Sequence, residues 1–328
     1  MIYIYNMKIC FISQNQNLNT GSYRIHVNDL NNYFNQNNIE STINPKNIDD
    51  YDIHIYGKGD YNIKNSSKIN GSITPSSDCN IINKFNFIIV GSWEEKESMI
   101  NKNKNIFLFP QIEKMYLDTI PKTHIHKDEI VIGYHGNQNH LNHCDIGLKN
   151  ALERLNKVFK IKFVYTCSNK TEWIQGKPNI EMDFIKWNMC NIHNIIQTFD
   201  IGVVPNISEY YNQTRLDENT ILGKYSTDMK IRFKNKSNIG RLLVLAQCGI
   251  PIVADITPSN MHILGNPDNG FAVLSEDGWY HALYQLCEDH ELRNNISKNA
   301  YDEVKRLYNP YIWADKLYKN ICKIKKFQ

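Results

Sequence analysis

At 328 residues, 41% of them hydrophobic and 11% aromatic, the chain is long enough for about two domains with substantial cores. Its formal net charge of +3 is too small to demand a nucleic-acid partner, and no apolar run approaches the roughly 18–20 residues that a membrane-spanning helix needs. The eight cysteines are scattered without a Cys-x-x-Cys pair, which points to buried thiols and a reducing, cytoplasmic setting. Residues 7–13 then read as a buried first strand, followed by a polar loop from Gln14 to Gly21. Tyr23, Val27, Leu30 and Phe34 recur at helical spacing, with Ser22 as the expected N-cap. Further strands are expected at 52–56, 85–90 and 106–109, and acidic Glu94, Glu95 and Glu97 open a helix after the second of these. Residues 119–129 carry Pro, His and charge and read as a linker.

After the linker the alternation begins again. Strands are expected at 129–134, 160–166, 180–185, 200–204 and 270–274, with a helix through Leu148, Leu152, Leu155 and Phe159. Segment 206–229 has no clear period and reads as a long loop. Two helices follow, one through Trp279, Leu283 and Leu286, the other through Leu292, Ile296, Val304 and Leu307. A last helix runs from about Pro310 to Ile324. Strands alternating with helices imply a parallel sheet, and they do so twice. The expected fold class is therefore α/β: two Rossmann-like domains, 1–124 and 125–309, facing each other across a cleft, with a C-terminal helix over 310–328 that packs back toward the first domain.

The stretch from Arg232 to Ser259 concentrates the chemistry. Arg232, Lys234, Lys236, Ser237 and Asn238 lead into an apolar helical pattern at Ile239, Leu242, Leu243 and Ala246, which carries Arg241. Cys248-Gly249 ends that helix, and Pro251–Ala254 forms a short buried strand before a Thr-Pro-Ser loop. Free N–H groups and the dipole at a helix start both favour anions, and basic side chains beside them add to that. Loops at the carboxyl ends of parallel strands face a ligand crevice, which brings in Arg24 after the first strand, His135-Gly136-Asn137 after the strand at 129–134, and Pro258-Ser259. His135, His140, His143, Cys144 and Asp145 also cluster, but their spacing matches no zinc template, so no metal site is expected.

The Lys-Ser-Asn loop, the helix and Gly249-Ile-Pro-Ile-Val-Ala254 resemble the donor-binding segment of GT-B-fold glycosyltransferases of the group 1/family 4 type. Gly133-Tyr-His-Gly-Asn137, Asp200-Ile-Gly-Val-Val-Pro205 and the tail from Trp279 to Arg293 extend the resemblance over nearly the whole chain, more loosely in the first 120 residues. It implies transfer of a sugar from a nucleoside-diphosphate donor to a glycan, lipid-linked or other acceptor, with no obligatory metal or other cofactor. By that likeness Arg241 and Lys234 stabilise the leaving diphosphate. Arg24, Arg232, Lys236, Ser237, Asn238, His135, Gly136, Asn137, Pro258 and Ser259 complete the donor site. Gln111-Ile112-Glu113 lies where such chains cross between domains, and an inverting transfer needs a base, for which Glu113, His135 and His54 are candidates. Val244 stands where many retaining members carry the Glu that holds the donor ribose, so the stereochemistry is left open. An epimerase or phosphorylase of the same fold, or a non-catalytic binding protein, remain alternatives. Lys319, Lys323, Lys325 and Lys326 form a small cationic end suited to weak association with an anionic membrane surface.

Overall fold

The computed structural model describes residues 7–75, 79–103, 105–142, 146–173, 176–206 and 239–324. In the first half, β1 (Ile9–Ile12) leads into a helix with three parts: α1 (Gly21–Tyr23), a π-helical stretch Arg24–Asp29, and α2 (Leu30–Gln36). There follow β2 (Ser41–Ile43), β3 (Ile53–Tyr56), β4 (Ile69–Ile73), α3 (Cys79–Ile82), β5 (Phe87–Val90), α4 (Trp93–Met99) and β6 (Ile106–Leu108). These strands form a parallel sheet in the order β2-β1-β3-β4-β5-β6. Ile9, Phe11, Ile53, Ile55, Phe87 and Ile89 are fully buried, as strands covered on both faces require.

The second half contributes β7 (Glu129–His135), α5 (Asn139–Asn142), α6 (Ile146–Leu155), β8 (Lys160–Cys167), β9 (Glu181–Lys186), α7 (Ile192–Gln197), β10 (Ile201–Val204), α8 (Gly240–Gln247), β11 (Ile252–Asp255), α9 (Pro258–Leu264), β12 (Phe271–Val273), α10 (Glu276–Glu288) and α11 (His290–Leu307). Its parallel sheet runs β12-β11-β10-β7-β8-β9. Counted from its own first strand, that order reverses direction between β7 and β10, which is where such sheets open a crevice. The last helix, α12 (Pro310–Ile324), lies on the first domain. Leu317, Tyr318 and Ile321 bury themselves in a cluster with Leu30 and Phe34, and the Tyr318 hydroxyl donates to the Met7 carbonyl at 3.0 Å. On the same helix Lys319 pairs with Asp315 at 2.6 Å; Lys325 and Lys326 lie outside the described residues.

Several elements differ from the sequence expectation. The first helix begins at Gly21 with Thr20 as its N-cap, because Thr20 is the extended residue (φ −92°, ψ 115°) and Ser22 already lies inside the first turn. The strands β2 and β4 were not expected. In β4, Ile-Asn-Gly-Ser-Ile hides its register: Asn70 spends its amide on the carbonyls of Asn65 and Lys68, and Gly71 leaves room for the Phe87 ring. The Thr-Pro-Ser loop is the start of a helix. Thr257 accepts the Asn260 N–H at 3.1 Å, and Pro258 supplies the fixed φ that suits a first helical position.

The crossing between domains is tied down by one buried carboxylate. Asp200 accepts from Lys127 at 2.6 Å and Lys122 at 3.0 Å, and its other oxygen accepts the Val131 N–H at 3.0 Å. Burial opposes its charge, but Lys127, the Val131 N–H and Lys122 together hold its pKa below the ordinary value. Nearby, Gly249 adopts φ +69° at the end of α8, where any Cβ would strike the Lys122 and Pro121 backbone, and His124 bonds its carbonyl at 2.8 Å. Asp200→Ala removes the acceptor of the Val131 N–H and of Lys127 and leaves Lys122 with only the Phe199 carbonyl, at 2.6 Å. It is expected to cost about 3 kcal/mol in urea unfolding; a loss below about 0.5 kcal/mol, the range of ordinary surface substitutions, would remove Asp200 from this role.

Candidate functional site

The cavity at the β7/β10 reversal is built from glycines outward. Gly202 in β10 gives way to Leu245 of α8, whose methyls lie 2.6 Å from where a Cβ would stand. Helix α8 therefore seats closely on the sheet, and its second residue, Arg241, reaches the carboxyl ends of β7 and β10. Gly136, at φ +138°, lets that side chain pass: a Cβ there would meet Arg241 Cδ at 2.7 Å. Arg241 donates to the Pro205 carbonyl at 2.7 Å, to Asn206 Oδ1 at 2.7 Å and to the Tyr134 hydroxyl at 3.4 Å, and its guanidinium lies 5.7 Å from the Tyr134 ring centroid. Every one of these partners is neutral. Among the described residues no carboxylate pairs with Arg241.

His135, at the end of β7, bonds the Arg241 carbonyl through Nε2 at 3.0 Å, so Nε2 carries the proton and Nδ1 the lone pair. Burial pushes its pKa down to about 4, the hydrogen bond opposes this and the Arg241 charge adds to it. The imidazole is neutral at neutral pH and adds no second positive charge beside Arg241.

The first domain supplies the opposite wall. Arg24 sits at the start of the π-helical stretch and donates to Glu113 at 2.9 and 3.2 Å and to the Leu18 carbonyl at 2.7 Å. Its guanidinium also lies 5.2 Å from the ring centroid of Trp187, just beyond β9 in the second domain. Burial raises the Glu113 pKa, and the charge and hydrogen bond of Arg24 recover part of that shift. Together Arg24, Glu113, His135, Gly136, Asn137 and Arg241 line one cavity of about 290 Å³ between the domains. The sequence brought forward all six. It missed Trp187, which shares the lining, because a Trp after a strand carries no spacing signal; Gln111, named only for the crossing between domains, lines the cavity too.

Other candidates fall elsewhere. Arg232, Lys234, Lys236, Ser237 and Asn238 lie outside the described residues, as do His143, Cys144 and Asp145 of the histidine-rich loop. Among the described residues no cluster of His, Cys, Asp or Glu is arranged to hold a metal ion. His54 is fully buried in β3, bonds the Ile48 carbonyl at 2.9 Å and does not reach the cavity lining. Val244 is packed in the core of the second domain. Pro258 and Ser259 begin α9 outside the cavity lining, where Ser259 is engaged by Glu94 of the first domain. The tail motif proves structural: Asp289 caps α11 by accepting the Leu292 N–H at 3.0 Å, and the buried Arg293 donates to the carbonyls of Leu286 at 2.6 Å and Ile125 at 2.8 Å.

No known family model matches the chain, and no curated relative matches it in sequence. Solved structures do match. Sucrose-phosphate synthase from Thermosynechococcus elongatus is 10% identical, with a TM-score of 0.63 over 98% of this chain and 100% of that one. Anabaena HepE, in a complex with UDP and glucose, is 11% identical, with a TM-score of 0.63 over 97% of this chain and 100% of that one. S. aureus TarM, in a complex with fondaparinux, α-GlcNAc-glycerol and UDP, is 14% identical, with a TM-score of 0.59 over 83% of this chain. The chain spans 55% of the length of TarM. At these identities the likeness is one of fold, and the fold is GT-B.

The imidazole of His135 gives a pH test. An unfolded histidine titrates near 6.5 and the folded one near 4, so its contribution is complete above about pH 6.5 and is lost as pH falls toward 4. In His135→Gln, stability is expected to fall less steeply across that window than in wild type, by up to about 1.4 kcal/mol per pH unit. Parallel stability curves from urea unfolding at several pH values would contradict a buried neutral imidazole.

Proposed function

We propose that this GT-B-fold chain is a glycosyltransferase that binds a nucleoside-diphosphate sugar in the cavity between its domains and passes the sugar to a hydroxyl of a glycan or lipid-linked acceptor. One observation carries the reading: Arg241 lines a polar cavity as a cation whose described partners are all neutral. A diphosphate meets that need. The acceptors on Arg241 orient it before any ligand arrives, so the charge costs little rearrangement when the leaving diphosphate develops negative charge. Ile239, the N-cap of α8, has no side-chain acceptor for the first turn, and the basic segment from Arg232 to Asn238 runs directly into it. Lys234 and Lys236 belong to the same proposal as further phosphate ligands; Pro258 and Ser259, outside the cavity lining and with Ser259 committed to Glu94, do not.

Across the cavity, Glu113 has the properties of a base for the acceptor hydroxyl. It lines the cavity, its pKa is raised by burial, and Arg24 fixes it in place with two hydrogen bonds to one oxygen. Neither this assignment nor the reaction as a whole calls for an obligatory metal, because Arg241 and the basic segment supply the positive charge. No described helix is long and apolar enough to cross a membrane, and an acceptor on a lipid would be met at the membrane surface. The cytoplasmic setting and a role in polysaccharide synthesis are parts of this same proposal.

The test is a thermal-shift panel of UDP, GDP, ADP, CMP and their common sugars on wild type and Arg241→Ala. One nucleotide is expected to stabilise wild type saturably, by about 2.7 kcal/mol at one hundred times its dissociation constant. Arg241→Ala is expected to stay folded, lose that stabilisation, and lose roughly 10²–10³-fold in kcat/KM with the identified donor. Wild-type turnover in Arg241→Ala would sink the assignment. A flat wild-type panel would favour a non-catalytic binding protein, and an epimerised sugar or phosphate-dependent glycan cleavage would favour the alternative enzymes.

A further inference from the structure

The two domains also meet away from the cavity, at the facing starts of α4 and α9. Ser92 caps α4 by accepting the Glu95 N–H at 3.1 Å, and this places Glu94 one turn from the domain boundary. The Glu94 carboxylate accepts the Ser259 N–H at 3.0 Å and the Ser259 hydroxyl. The Trp93 N–H donates to Ser259 Oγ at 3.3 Å, and the Trp93 ring stacks on His262 with centroids 4.5 Å apart and planes 11° from parallel. Glu94 is 8% exposed and Ser259 1%. A carboxylate taken this far out of water holds its place through those donors.

From Ser259 a path of covalent neighbours and hydrogen bonds leads toward the cavity. Next to Ser259, Asn260 is 1% exposed and donates its side-chain amide to the Asp255 carbonyl at 2.9 Å. The Asp255 carboxylate accepts the Asn206 N–H at 2.7 Å. Asn206, 4% exposed, presents Oδ1 to Arg241, and the neighbouring Pro205 presents its carbonyl. Both acceptors that aim the guanidinium are therefore set by the exit of β10, and the exit of β10 is pinned by Asp255 at the end of β11.

We propose that Asp255 is a positioning residue for Arg241, and that the Glu94–Ser259 contact acts separately, by favouring the closed arrangement of the two domains that forms the cavity. The proposal rests on the reading of Arg241 as the diphosphate ligand. Without the Asp255 carboxylate the buried Asn206 N–H has lost its acceptor, and the Pro205–Asn206 backbone is free to turn both of its oxygens away from Arg241. Without Glu94 the relay within the second domain is intact, but the closed arrangement is less populated, so ligand affinity falls by that fraction while the closed complex is unaltered.

These two effects separate in kinetics. With the donor identified from the nucleotide panel, Glu94→Ala is expected to raise donor KM about tenfold with kcat nearly unchanged. Asp255→Ala is expected to lower kcat as well as raise KM. Asp255→Asn, which keeps an acceptor for the Asn206 N–H, is expected to recover most of both, a rescue that a merely structural role for the charge would not give. Ser259→Ala, which keeps the backbone donor, is the milder version of the Glu94 change should Glu94→Ala fail to fold. In the double variant Glu94→Ala/Asp255→Ala the losses are expected to multiply, because one change acts on closure and the other on the position of Arg241. Losses far short of multiplicative, or an unchanged kcat in Asp255→Ala, would overturn this division of roles while wild-type nucleotide binding left the donor-site reading standing. Absence of nucleotide binding by wild type would overturn that reading and this proposal together.

Discussion

Asp200 is the point from which the cavity is assembled. Its two oxygens hold Lys122 and Lys127 of the linker and the backbone of β7, while its own N–H and the residues after it run into β10. The linker, the first strand of the second domain and the strand beside it are thus fixed to one another through this one side chain. The sheet order reverses between those same strands, so fixing them fixes the mouth of the crevice. The site then follows from close approach. Gly202 admits Leu245 and so lowers α8 onto the sheet, and Gly136 admits the Arg241 stem.

The electrostatics of the cavity divide by domain. On the first-domain side the Arg24 cation is matched by Glu113 and covered by Trp187, a self-contained pair that joins the domains. On the second-domain side Arg241 is held by oxygens without formal charge, beside a histidine kept neutral by burial. Among the described residues the Arg24 charge is thus matched by a carboxylate and the Arg241 charge is not. The buried Glu94 between α4 and α9 gives the closed arrangement a point of attachment well separated from the Arg24–Trp187 contact.

What was legible in the sequence follows from the range of the interactions involved. Helix α8 and strands β10 and β11 are written in continuous apolar runs, and α12 runs over the expected 310–324 because its periodicity and its leading Pro are local signals. Gly136 was readable as a loop glycine after a strand, and Arg241 through its place eight residues before Gly249 in the segment that resembles GT-B donor sites. By contrast β2 and β4 are short and half polar, and their strand character depends on neighbours already in place. The same holds for function. Glu94 was visible only as an acidic residue in a first helical turn, where the dipole alone explains it. Its partner Ser259 is 165 residues away, and the Asp255–Asn206 link spans 49 residues. No spacing rule reaches across such separations.

The most direct measurement is a crystal structure of the protein grown with the nucleoside diphosphate that binds it best. The account predicts the diphosphate against the Arg241 guanidinium and the Gly136 backbone, with Glu113 facing it across the cleft and Glu94 still seated on Ser259. A nucleotide bound elsewhere, with Arg241 contacting only Tyr134, Pro205 and Asn206, would contradict it.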